Sequence, residues 1–163
     1  MVIVFTGVSG AGKTTVGKLM AETLGWPFYD ADDYHPPANI AKMSAGIALI
    51  DEDRVAWLES LRNLIRSVSA RGENAILACS ALKHAYRELL RSAGDVRFVH
   101  LHADEALIRE RLTTRQGHFM NPTLINSQFE TLEEPHSAIT IDAALSPAEI
   151  VRRAREALKV SAE

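Results

Sequence analysis

Gly7, Gly12, Lys13 and Thr14 stand at the spacing G-x-x-x-x-G-K-[ST] in the stretch GVSGAGKTT, directly behind the apolar run VIVFT. A strand, a glycine-rich loop and a helix in that order form a receptor for phosphate. Gly7, Gly10, Ala11 and Gly12 carry little or no side chain, so backbone amides can close around phosphate oxygens, and the first turn of the following helix adds partial positive charge. Lys13 can bridge the β- and γ-phosphates of a nucleoside triphosphate. The Thr14 hydroxyl, with Thr15 beside it, can ligate Mg²⁺. A glycine-rich turn that binds nothing is the bland alternative, and the strand and helix around the motif argue against it.

A second group of residues lies in FYDADDYHPP, where Asp30, Asp32 and Asp33 follow a short apolar run. Ligands bind at the carboxyl ends of strands in open α/β sheets, and a parallel neighbour would bring these acids near the phosphate loop. Three carboxylates in four residues repel one another unless cations or hydroxyl-bearing ligands offset the repulsion. One could accept a proton from an attacking hydroxyl while another orders a metal ion. For Asp33, capping of a helix starting near Pro36 and Pro37 serves equally well as an explanation. Arg111 and Arg115, four residues apart on one helix face, could clamp phosphates; pairing with Glu105 or Glu110 is the alternative.

These residues need a scaffold, and the pattern supplies one. Strand-like runs at Val2 to Thr6, Pro27 to Asp30, Ala75 to Cys79, Val96 to Leu101 and Ala138 to Asp142 alternate with helical periodicity. The helical stretches are Lys13 to Leu24, about Asp53 to Ala70, Ala85 to Ser92, Glu105 to Thr113 and Pro147 to Leu158. Ser146, Pro147 and Glu149 mark the start of the last one as N-cap, first-turn proline and capping-box acid. The expectation is an α/β P-loop fold, a five-stranded parallel sheet flanked by helices. Residues 116–135 fit no strong period and read as a mobile lid, spanning about residues 114–135.

The bulk numbers fit one domain over residues 1–163. The net charge is −3, with 47% hydrophobic and 24% charged residues, and the basic residues are scattered. No nucleic-acid or anionic-membrane footprint shows. The opening MVIVFTG is too short for a signal h-region or a membrane span, so a cytoplasmic location is expected. Cys79 is the single cysteine, which excludes an internal disulfide, and its apolar surroundings suggest packing.

A phosphate loop serves kinases, switches and motors alike. No Asn-Lys-x-Asp element is present to read guanine, and the run Ala75 to Cys79 ends in Ser80 rather than an acid that would hold the metal. Another carboxylate must serve, and the acids after Tyr29 are the candidates.

The stretches GVSGAGKTT, DADDYHPPANIAKMSAGIALIDEDR, CSALKHAYRELLR and RQGHFMNPTLINSQFETLEEP closely resemble the gluconokinases, small P-loop kinases related to shikimate and adenylate kinases. The resemblance runs over nearly the whole chain. It implies transfer of the ATP γ-phosphate to the 6-hydroxyl of D-gluconate with Mg²⁺, by a homodimer. It implies Asp32 as general base, Asp30 near the metal, and Lys13 and Arg115 at the transferring phosphoryl group. For the gluconate carboxylate Arg54 is the first choice, since a guanidinium binds carboxylate bidentately, and Lys83 and Arg87 come next. His35 and His118 could donate to sugar hydroxyls, whereas His84, His100, His102 and His136 are given no role. Trp57 reads as core, with the acceptor pocket as the alternative. Where the family pattern reads DEDRWPWL, this chain has Val55 and Ala56 before Trp57, which leaves room for another sugar acid or polyol as acceptor. A regulatory module that binds ATP without catalysis is the remaining reading, and it has no use for Asp32 aimed at a hydroxyl.

Overall fold

The computed structural model describes residues 1–114 and 123–161. Its sheet is formed by β1 (Val2–Thr6), β2 (Phe28–Asp30), β3 (Ala75–Ala78), β4 (Val96–His102) and β5 (Ile139–Asp142), in the order β2-β3-β1-β4-β5 with every pairing parallel. All five residues of β1 are buried, as a central strand covered on both faces requires. Helices α1 (Lys13–Leu24) and α7 (Pro147–Leu158) pack on one face over Ile3, Phe5, Val99 and Leu101. Helices α3 (Asp51–Ala70) and α4 (His84–Arg91) cover the other over Val2, Val4, Leu77 and Phe98. Odd and even residues of β1 thus serve two separate cores, the period-2 alternation of a strand.

The expected strands and helices are present, with ends moved by a residue or two. Helix α3 begins at Asp51, two residues early, because the Asp53 carboxylate accepts from the Ile50 amide and caps the helix. Between β2 and α3 lie a single 3₁₀ turn, Ala31–Tyr34, and α2 (Pro37–Ser44), whose start at a proline suits the first helical turn. After α5 (Glu105–Thr114), the structure departs from the reading of 116–135 as aperiodic, because Thr123–Thr131 forms helix α6. Leu124, Ile125, Phe129 and Leu132 share one face and pack inward. The helix is only nine residues long and carries Gln128 within that stripe, which is why the period is hard to see in sequence.

Cys79 is buried, and desolvation pushes its thiol up to about 12, so it packs as an inert side chain. Among the described residues, no helix is long and apolar enough to cross a membrane.

Candidate active site

The phosphate loop leaves β1 through Gly7, whose φ of 146° brings it so close to β4 that a Cβ would stand 2.7 Å from the Leu101 carbonyl oxygen. No larger residue fits there. Gly12, at φ 98°, forms the N-cap of α1; no side chain caps this end and its first turn holds no acid. The first amides of the helix therefore remain directed at any anion placed before them. Lys13 Nζ donates to the Val8 carbonyl at 2.9 Å, curling the loop around its own lysine. Burial lowers the Lys13 pKa, and Asp32 and Asp30 pull it the other way.

Strand β2 is not the neighbour of β1; β3 lies between them. The two loops still meet, because β3 ends at Ala78 and the Thr14 hydroxyl reaches across to donate to Asp30 Oδ2 at 2.8 Å. The other Asp30 oxygen accepts from the Asp32 amide and so caps the 3₁₀ turn. Thr14 and Asp30 together offer the hard oxygen donors that Mg²⁺ prefers. Asp33 lines a surface pocket with Lys18, Tyr34 and Asp30 and is not part of the cavity that Asp32 lines.

Beside the loop lies a cavity of about 400 Å³, lined among others by Lys13, Asp32, His35, Arg54, Trp57 and Ser80. Its size suits a small-molecule ligand. Arg54 lines it and makes no salt bridge among the described residues; its guanidinium lies 3.4 Å from the Tyr86 hydroxyl and near enough to Asp51 and Asp53 for its charge to lower both their pKa values. The surrounding acids are committed elsewhere: Asp51 to Lys83 at 2.8 Å and to Tyr86, Asp53 to Lys42 at 2.8 Å. A guanidinium held in no salt bridge in a cavity is suited to an anionic ligand.

His35 stacks on Trp57, with ring centroids 4.5 Å apart. The Asn39 amide nitrogen donates to the Asp53 carbonyl at 2.8 Å and lies 3.2 Å from His35 Nδ1. A carbonyl can only accept, so the Asn39 orientation is fixed, and His35 Nδ1 must accept as well. The imidazole hydrogen then sits on Nε2, 4.0 Å from Asp32 Oδ1. Burial, aided by the Arg54 charge, lowers the His35 pKa to about 4, so the ring is neutral and presents an N–H donor beside Asp32. Trp57 belongs to both earlier readings at once: it is fully buried, its indole N–H donates to the Ala31 carbonyl at 2.7 Å, and its face forms a cavity wall.

Lys83 and Arg87 do not join the cavity. Lys83 is held by Asp51. Arg87 is 2% exposed and donates to the carbonyls of Ala81, Leu82 and Glu133, each within 2.9 Å. It pins the turn after β3, where Ala81 takes the left-handed φ of 38°. Val55 and Ala56 are exposed and line no part of the cavity, so the departure from DEDRWPWL does not touch its wall. Arg115 and His118 lie outside the described residues.

Arg111 sits on the opposite flank of the phosphate loop. It donates to the carbonyls of Gly10, Ala11 and Ala143, rather than pairing with Glu105, which Arg109 takes. With Thr15, Leu145 and Pro147 it lines a groove of about 200 Å³. Gln128 of α6, which sequence reasoning passed over, accepts from the Ser9 amide at 3.2 Å and also lines the acceptor-side cavity. Its place within SQFETLEEP was the available signal.

Residues 9–159 match the family model for shikimate kinase. The gluconokinase of Gluconobacter oxydans is 47% identical, over 82% of this chain and 75% of its own. The thermosensitive gluconokinase of Escherichia coli is 41% identical, over 95% and 86% respectively. Among solved structures, a gluconokinase from Sinorhizobium meliloti superposes with a TM-score of 0.87 at 43% identity, covering 96% of this chain and 90% of that one. With this cavity beside a phosphate loop, and this likeness over nearly its whole length, the chain belongs to the gluconokinases within the shikimate kinase family of P-loop kinases.

Proposed function

We propose that the protein transfers the γ-phosphoryl group of ATP to the 6-hydroxyl of D-gluconate, giving 6-phosphogluconate, with gluconate in the 400 Å³ cavity and its carboxylate on Arg54. The observation that carries this reading is the Arg54 guanidinium, held in no salt bridge among the described residues, in the same cavity as Lys13 and Asp32. An acceptor held by its carboxylate at Arg54 directs its far hydroxyl toward Asp32. The names of the relatives support the same acceptor.

Asp32 takes the proton of the attacking hydroxyl, and the neutral His35 Nε2–H donates to an acceptor oxygen nearby. Lys13 and the first-turn amides of α1 stabilise charge on the transferring phosphoryl group, the dominant requirement of this chemistry. Thr14 and Asp30 would hold Mg²⁺, which would supply neutralisation of phosphate charge. Arg111 and its groove take the nucleotide on the other flank. Arg115 is assigned to the phosphates and His118 to the acceptor on family resemblance, as is the homodimer. Phosphorus NMR of the product tests the regiochemistry: coupling to the C6 protons is expected. Phosphate on any other hydroxyl would overturn the placing of the carboxylate on Arg54.

A further inference from the structure

We infer that His100, His102 and Glu134 form a binding site for one transition-metal ion of the Zn²⁺ type, separate from the ion that accompanies the nucleotide. Alternation along β4 puts His100 and His102 on one face of the sheet, and Glu134 comes from the segment between α6 and β5. The Glu134 carboxylate faces both rings, with Oε2 3.2 Å from His100 Nε2 and Oε1 3.5 Å from His102 Nδ1. Ligand atoms from all three residues lie within 4.8 Å of one another. Around a tetrahedral Zn²⁺ with bonds of roughly 2.0–2.2 Å, ligand atoms are about 3.4 Å apart, so small side-chain rotations complete the coordination. Two imidazole nitrogens and a carboxylate with a position left for water suit Zn²⁺, Co²⁺ or Ni²⁺. They suit Mg²⁺ poorly, since it prefers oxygen alone.

His100 supplies an independent observation. Its side chain is 1% exposed, and among the described residues neither ring nitrogen has a hydrogen-bond partner of good geometry; Glu134 Oε2, 3.2 Å from Nε2, is the close polar neighbour. Buried polar atoms rarely stay unpartnered, and a metal ion at Nε2 would engage this one while neutralising the carboxylate.

The site's location suggests what it does. Arg87 holds the Glu133 carbonyl, and the Glu133 carboxylate accepts from the His84 amide at 2.6 Å. An ion on Glu134 would add a third tie, from β4 to the chain that returns from α6. That helix carries Gln128 to the phosphate loop. The three ligands line no part of the acceptor cavity, so the ion acts as a staple at the base of α6 and takes no part in chemistry.

Titration of the chelator-treated full-length protein with Co²⁺ tests this. The expected result is one equivalent bound with the intense visible bands of a four- or five-coordinate site, displaced by Zn²⁺ and unmoved by excess Mg²⁺. His102→Ala and Glu134→Gln, at half-exposed positions that tolerate change, should each weaken binding roughly tenfold or more and abolish the bands. Zn²⁺ should raise the thermal midpoint of the wild type and not of either variant. Absence of the bands overturns the proposal. So does their persistence in both variants, which would assign the ion to other donors such as Thr14 and Asp30.

Discussion

Protonation of His35 is opposed by burial and by the Arg54 charge, and that has a consequence for stability. Its folded pKa of about 4 lies below the ordinary 6.5, so the unfolded chain takes up the proton first. Stability from neutral His35 is complete above pH 6.5 and is lost as pH falls toward 4. Urea midpoints should therefore drop across that window in the wild type, and less steeply in His35→Asn. Nitrogen NMR should find the Nε2–H tautomer in the wild type, and Asn39→Ala should lose that preference. Asp32→Ala should lower kcat roughly 100-fold or more with ATP affinity retained, as loss of a general base does. Arg54→Ala should raise KM for gluconate by ten- to hundredfold, corresponding to about 1.5–3 kcal/mol for hydrogen bonds to a charged group, and leave KM for ATP unchanged. Lys13, Thr14 and the acid group with Asp30 and Asp32 were readable in the sequence as candidates from type and spacing, whereas which acid serves as base came only from the family resemblance. Asn39 was not readable. A buried amide has no titration or spacing signature, and its partner is a backbone carbonyl fourteen residues away.

At the scale of elements, the turn after β3 depends on Arg87. Three carbonyls share its guanidinium, and the left-handed Ala81 lies under it. Arg87→Ala should cost about 3 kcal/mol in denaturant unfolding, since charge-assisted bonds are lost and buried carbonyls are left unpaired. As a sequence feature, Arg87 four residues after Lys83 resembled a ligand pair; only burial, invisible in a string, separates the two roles. Strands were read well because each is an apolar run ended by a turn signal. Helix α6 escaped because nine residues give little more than two turns of period, one of them interrupted by Gln128. Gln128→Ala should weaken ATP binding severalfold by releasing the hydrogen bond that ties the phosphate loop at Ser9 to α6, measurable by calorimetry.

Across the whole molecule, the parallel sheet gathers the ends of β1, β2 and β3 along one edge and leaves a cavity on each flank of the phosphate loop. Lys13 faces the larger one, Arg111 the smaller, and the phosphate loop runs between them. Strand order was the part of this design least accessible from sequence, since β2 reaches Thr14 over a short β3 that no local pattern places between them. The exposed Val55 and Ala56 remove the sequence argument for a different acceptor. The most direct measurement is ADP release with Mg²⁺ and ATP, comparing D-gluconate with shikimate, other aldonic acids, neutral polyols and no acceptor, for the wild type and Asp32→Ala. Release with gluconate far above every other condition, and its collapse in Asp32→Ala, is the predicted result. Equal release with and without gluconate, or full turnover in the variant, would contradict it.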